Sequence, residues 1–419
     1  MTGSVIRIID QRGSHLSQMR RTMVVGSDEA VRCIISAVAT EQDWAVLRYA
    51  REFDGLGDLP LRLTDEELAA AAKDISPNFM QAAKRAITNI REFAEAQMPR
   101  ECFREFSSGR KLGWIVRPLD SVGCYVPSGR YPLPSTLLMT AVLAQVAGVP
   151  RIVVTSPKPS PEILACAHLL GIKEFFRVGG AHSIAALAIG TQTIHKVDRI
   201  VGPGNSYVTA AKRLVAQEFD VGIDFLAGPT EILIIAAGGD PKIIAADMLA
   251  QAEHDVEARA MFFTSSMDLA KAVASEIEEQ LKTLPTAAIA RESIENRGLI
   301  AVFSDLNSAI AHANDLAPEH LSLHHPELLP QIKNAGTVFL GPSTPESAGD
   351  YANGPSHVLP TMAAARLRGG LTPYDFVKMI SVQQLSHAAL DELAPTITTL
   401  ARAEGLEAHA RAVEVRSVQ

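Results

Sequence analysis

From residue 122 onward the chain alternates between two kinds of segment, and this alternation constrains its fold more than any other feature. Short runs rich in β-branched and other apolar residues, VGCYV at 122, RIVVTS at 151, FFRVG at 175, RIVG at 199 and ILIIAA at 232, are separated by STLLMTAVLAQVAG, PEILACAHLLG, HSIAALAIG and NSYVTAAKRLVAQ. The short runs are apolar throughout and do not alternate with polar residues. A strand of that kind has no solvent face, so the pattern predicts parallel sheets covered by helices on both sides. A second group, KIIAADMLAQAEHD, ARAMFFTSS, IAVF and TVFLG, repeats it farther along, and two α/β units in tandem account for both. Residues 28–110 read mostly as helices, with apolar residues at helical spacing in VRCIISAVATEQDWAVLRYAREF and MQAAKRAITNIREFAEAQ. Residues 381–419 read as helical, with too little apolar surface for a core of their own, so they need a body to pack on, their own or a neighbour's.

Composition narrows the function. The 419 residues are 47% apolar, enough for real cores, and 39 basic against 47 acidic residues leave a formal charge of −8. There is no lysine- or arginine-rich block to track a phosphate backbone, so no nucleic-acid partner is expected. The N-terminus, MTGSVIRIIDQRG, lacks the apolar run of a signal peptide, and nowhere do about 20 apolar residues run unbroken; a cytoplasmic protein with no membrane partner is the expectation. Cys33, Cys102, Cys124 and Cys166 are widely spaced and form no CxxC, so each is expected as a small buried apolar residue.

Several clusters carry possible chemistry. In NDLAPEHLSLHH (314–325) Asp315 suits a cap, Pro318 a first helical turn and Glu319 the positive end of a helix dipole, so the stretch reads first as a helix start. A helix over 242–255 puts Gln251 and His254 on one face, where they offer either an amide oxygen and an imidazole to a metal ion or simply a histidine to the negative helix end. In GDYANGPSHVLPT (349–361), Gly349, Gly354 and Pro355 make a loop presenting Asp350 and His357. EGLEAH (404–409) puts Glu404 and His409 on a helix near the chain end. GPGNSY (202–207) follows a strand and opens a helix, the context in which backbone amides meet a phosphate or ribose, although the full GxGxxG is missing. Gly179–Gly180 occupy the same strand-to-helix position, and YVPSGR (125–130) offers Tyr125 before a tight turn.

Taken together, YVPSGRYPLPSTLLMTAVLAQVAGV, VDRIVGPGNSYV, AGPTEILIIA, QAEHD, APEHL, GDYANGPSHVLPT and EGLEAH stand in the order and roughly the spacing of one family. The chain resembles the histidinol dehydrogenases from about residue 28 to 416. The resemblance implies an α/β fold of two incomplete Rossmann-like domains with small N- and C-terminal helical extensions. The expected boundaries are residues 1–27 for an N-terminal extension, 28–121 plus 231–380 for a larger domain with the zinc and catalytic residues, 122–230 for a smaller NAD-binding domain, and 381–419 for a C-terminal segment packing on a partner subunit. It also implies a zinc-dependent enzyme that oxidises L-histidinol through L-histidinal to L-histidine with two NAD molecules, the last step of histidine biosynthesis.

Position by position, the resemblance implies zinc ligands at Gln251, His254, Asp350 and His409, and an acid/base pair at Glu319 and His320. It implies substrate contacts at Thr230, His357 and Glu404, and NAD contacts at Tyr125, His182 and Asn205. It further implies a homodimer in which His409 and Glu404 complete the site of the other subunit. His324 and His325 match nothing catalytic. Three positions depart from the family pattern: His182 where Gln is usual, Thr230 where Ser is common, and Ser128 where Gly is common. Because paralogues oxidise other alcohols, including a sulfonated propanediol, these departures bear on the substrate. A non-catalytic metal- or nucleotide-binding protein is the expectation of a different class.

Overall fold

The computed structural model describes residues 5–12, 28–106, 109–129, 131–226 and 228–417. Most of the expected N-terminal extension, residues 1–4 and 13–27, therefore lies outside the described residues. Along the chain the strands are β1 (Arg7–Asp10), β2 (Cys102–Phe106), β3 (Arg110–Pro118), β4 (Ser121–Tyr125), β5 (Arg151–Thr155), β6 (Glu174–Phe176), β7 (Arg199–Val201), β8 (Gly222–Ile223), β9 (Glu231–Ile235), β10 (Arg259–Thr264), β11 (Leu299–Val302), β12 (His320–Leu323), β13 (Thr337–Leu340) and β14 (Val377–Leu385).

Two sheets are wholly parallel, ordered β6-β5-β4-β7-β8 and β1-β11-β10-β9-β12-β13. Without β1 they share one winding: the first strand is central, the next two step outward on one side, and the last two on the other. Each is thus a five-stranded, incomplete Rossmann-type sheet whose order reverses between β4 and β7 or between β9 and β12. The apolar runs explain the burial. In β9 all of Ile232 to Ile235 are fully buried, with Ile232 and Ile234 packing into one core and Leu233 and Ile235 into the core on the opposite face. Each such side chain contributes about 1.5–3 kcal/mol relative to an exposed one. Similarly, Val122, Cys124 and Val154 face one core of the other sheet, while Val153 and Ile200 face its partner.

Local structure departs from sequence expectation in several places. NDLAPEHLSLHH is a helix end followed by a strand: the helix Leu306–Leu316 is closed by Ala317 in the left-handed conformation (φ 50°), Pro318 prevents its continuation, and β12 begins at His320. The helix expected to reach 255 is Pro241–Ala252, so His254 lies beyond its end. Asp350 stands on a short helix, Glu346–Tyr351, and not on a loop. The N-terminal extension supplies the edge strand β1, paired with β11, where a helix was expected. The C-terminal segment opens with strand: β14 runs to Leu385 and joins β3 and β2 in an antiparallel sheet, and only then come the helices His387–Ala403 and Glu407–Ser417. Those helices pack on each other and, through the first, on β14. Leu400, Leu406, Val415, Met379, Ile380 and Leu385 remain exposed on this region. Of the cysteines, Cys124 and Cys166 are buried, Cys102 is half-buried and Cys33 is exposed. No described helix is long and apolar enough to cross a membrane.

Candidate active site

The densest group of buried titratable side chains sits at the amino ends of β9 and β12, where the strand order of the larger sheet reverses. Glu319 immediately precedes β12, and Thr230 and Glu231 open β9 beside it. Glu319 Oε2 accepts hydrogen bonds from Thr230 Oγ1 at 2.7 Å and from the Glu231 amide at 2.9 Å. Burial nevertheless dominates and pushes the Glu319 carboxyl up to about 8, against the pull of those two donors.

His320 is shifted the opposite way. Burial lowers it to about 4, so the ring is neutral at ordinary pH. Its Nδ1 lies 3.1 Å from the Glu231 carbonyl oxygen, which can only accept, so Nδ1 carries the proton and Nε2 keeps its lone pair. Among the described residues Nε2 is buried without a hydrogen-bond partner, and Asp350 Oδ1 lies 3.8 Å from it. Phe339 of β13 stacks against the ring at 6.0 Å.

The short helix Glu346–Tyr351 closes the group. Glu346 and Asp350 are four residues apart and share its inner face, and Gly349 lets the helix approach, since a Cβ there would meet the Phe339 ring at 2.6 Å. Glu346 Oε1 lies 3.2 Å from His320 Nδ1, and burial with neighbouring carboxylates holds Glu346 well above its usual range. His320, Glu346 and Asp350 bring potential ligand atoms within 4.8 Å of one another. The fully buried Gln251 amide faces the same group: one orientation donates to Thr230 Oγ1 at 2.7 Å, and the reverse accepts from Thr230 and donates to Glu346, the only arrangement that gives both amide atoms complementary partners.

His357 connects this group to the other sheet. Its Nδ1 bonds the Asp350 carbonyl at 2.8 Å and its Nε2 lies 3.1 Å from Thr136 Oγ1, on the helix Pro134–Val146. His254 is exposed, two residues past its helix, yet close enough for its charge to act on His320 and His357. His409 is exposed on the last helix and Glu404 is exposed in the turn between the two C-terminal helices, where a helix was expected; among the described residues no hydrogen bond or ion pair joins either to the group.

The residues expected at a dinucleotide lie at the carboxyl ends of β4, β6 and β7. Tyr125 ends β4, buried, with its hydroxyl accepting from the Gly180 amide at 3.4 Å. His182 is turned inward, its Nε2 2.9 Å from Asp54 Oδ2, which also accepts from the Gly179 amide at 2.8 Å. Asn205 is exposed and caps the helix Ser206–Glu218 through Val208 N. Ser128 Oγ donates to the Lys158 carbonyl. Sequence reasoning overlooked Glu346, Thr136 and Asp54. Only Glu346 left a trace, one helical turn before Asp350.

Comparisons with known proteins identify the family. The family model described as Histidinol dehydrogenase matches residues 18–417. Histidinol dehydrogenase from Geobacillus kaustophilus (strain HTA426) is 45% identical over 411 residues, 95% of this chain and 96% of that protein. The one from Carboxydothermus hydrogenoformans is 43% identical over 423 residues, 98% and 99% of the two chains. The crystal structure of histidinol dehydrogenase from Elizabethkingia anophelis superposes with a TM-score of 0.92 at 33% identity, covering 99% of both chains. With the family model matching residues 18–417 and relatives similar over nearly the whole chain, the chain belongs to the histidinol dehydrogenase family.

Proposed function

We propose that this protein oxidises L-histidinol through L-histidinal to L-histidine with two NAD molecules, in the cytoplasm, as a homodimer with shared sites. The observation that carries the reading is the adjacent, oppositely shifted pair Glu319 and His320: a neutral imidazole with an unpartnered Nε2 beside a carboxyl poised near 8. His320 Nε2 takes the hydroxyl proton as the carbinol carbon gives up hydride. Ionised Glu319 then takes a proton from the water that adds to the aldehyde, and His320 again serves as base for the second hydride loss. Keeping both groups in one buried site lets the aldehyde react without release. NAD, when bound at the carboxyl ends of β4 and β7 beside Tyr125 and Asn205, supplies the hydride acceptor.

The donor set fits zinc. The charge of Asp350 adds to burial in raising the proton affinity of both Glu319 and Glu346, a situation a divalent cation relieves. Gln251, His254 and Asp350, with His409 of the partner subunit, offer nitrogen and oxygen donors suited to that ion. Zinc held by these residues would supply Lewis-acid polarisation of the substrate. His357 and the partner subunit's Glu404 flank the substrate, Glu404 as counter-charge to its cationic end. The exposed Leu400, Leu406 and Val415, with Met379 and Ile380 of β14, supply apolar area for the dimer contact.

The test is a substrate panel with the zinc-loaded protein and NAD. Two NADH per histidinol, with histidine as product, is expected. NADH from a sulfonated propanediol but not from histidinol would transfer the chain to a paralogous activity, and no NADH from any alcohol would leave a binding protein.

A further inference from the structure

We propose that the buried ion pair between Lys212 and Asp224 is the positioning element of the dinucleotide site, an inference that rests on the cofactor reading above. The pair lies beneath the loop joining β7 to the helix Ser206–Glu218 and is withdrawn from solvent, its side chains 3% and 1% exposed. It holds one residue by both of its backbone polar groups. Lys212 Nζ donates to the Gly202 carbonyl at 3.0 Å, and Asp224 Oδ2 accepts from the Gly202 amide at 2.8 Å. Asp224 Oδ1 takes the lysine ammonium and also the Phe225 amide at 2.7 Å.

Gly202 is where the loop leaves the sheet. Its φ of +114° is open to glycine and strained for other residues, and a Cβ would lie 2.1 Å from the Tyr125 carbonyl oxygen. The ion pair therefore ties the end of β7 to Asp224, just past β8, while Gly202 itself packs against the end of β4, at the reversal of strand order where sheets of this kind bind ligands. Lys212 belongs to the helix that Asn205 caps, so one helix carries both the cap at the loop and the cation that anchors the loop's base. Stability alone does not account for such a pair, because apolar residues of similar volume fill a core as well or better. What the charges add is a fixed position for Gly202, and with it for the start of the loop that leads to Asn205.

The test uses the full-length zinc-loaded protein carrying Lys212→Met, Asp224→Asn, or the double change Lys212→Met/Asp224→Leu. The singles leave a buried charge unmatched and can fail to fold; the double change removes both charges together and releases the Gly202 amide and carbonyl from their side-chain partners. The expected result is a KM for NAD raised about tenfold or more in the folded double variant, with a matching loss of NAD affinity by calorimetry and a KM for histidinol within about twofold of wild type. A double variant with wild-type NAD KM would overturn the inference. So would a loss confined to kcat or to the yield of folded protein, with both KM values unchanged, since that is what a merely structural pair predicts. If the wild-type protein itself neither binds NAD nor reduces it, the cofactor reading has failed and the inference falls with it.

Discussion

Thr230 and Glu319 meet across 2.7 Å at the neighbouring amino ends of β9 and β12, the threonine hydroxyl donating to the glutamate carboxyl. Thr230 has one proton to give and two acceptors to serve, Glu319 Oε2 and, when its amide is turned over, the Gln251 oxygen. A hydroxyl at this position thus ties the water-activating carboxyl to a proposed zinc ligand, whichever of Ser or Thr provides it. Thr230→Ser should keep aldehyde oxidation within a few-fold of wild type. Thr230→Val removes a hydrogen bond to a charged group and should slow it about 10- to 100-fold. Rates measured from histidinal, which bypass the first oxidation, check this.

The pH dependence follows from the opposite shifts of the catalytic pair. In the proposed water step Glu319 works as the carboxylate, and burial holds its pKa at about 8, so the rate from histidinal should climb with pH and level off above about 8. His320, at about 4, is already neutral and contributes no inflection in that range. Glu319→Gln should stall after the first oxidation, releasing one NADH per histidinol. Two NADH from that variant would remove Glu319 from the water step.

Stability should run the other way. A carboxyl whose folded pKa is raised stays protonated in the fold after the unfolded chain has lost its proton. The folded state then binds more protons, and stability falls as pH rises from about 4.5 toward 8 for Glu319, and in the same direction for Glu346. In metal-free protein Glu346→Gln should therefore raise Tm more at pH 8 than at pH 5, by roughly 2–5 °C. Equal shifts at both pH values, read by calorimetric scans, would contradict this.

His254 lies at the rim of the buried group, so its loss should spare the fold and strike the ligand. His254→Asn is expected to weaken zinc retention and raise the KM for histidinol together. Metal content after dialysis and steady-state kinetics report the two effects, and turnover that survives a strong chelator would separate them.

Shared sites can be tested by mixing. Glu319→Gln and His409→Asn are each expected to be inactive. A heterodimer of the two has one site that receives both intact residues if His409 crosses between subunits, and activity should then recover toward half of one wild-type dimer. Mixtures that stay at the level of the parents would mean that each C-terminal segment serves its own chain.

The parallel sheets were legible because runs such as ILIIAA have no polar face, and that requirement is local. The group around Glu319 was legible only in part. APEHL reads as a helix start when Pro318 and Glu319 are judged by their neighbours, whereas Pro318 in fact follows a helix that Ala317 has already ended. Nothing local distinguishes the two, because proline suits both the first turn of a helix and the chain just past its end. β14 was missed for a related reason. VKMISVQQL is held by pairing with β3, more than 250 residues earlier, and an exposed strand carries weak periodicity of its own.

The sequence by itself determined the family, the alternation of elements and the residue types of the site, since these depend on motifs and on the period of apolar side chains. Tertiary structure alone decided that the proposed catalytic pair would sit at the amino edge of one sheet while the proposed cofactor residues sit at the carboxyl edge of the other. It also decided that Glu346 would be buried against Gln251 and His320, and that Lys212 would be spent on Gly202 and Asp224. The reason is the same throughout. Proton affinity and hydrogen-bond partners are set by burial and by groups brought from distant parts of the chain, and neither is encoded in the spacing of the residues that feel them.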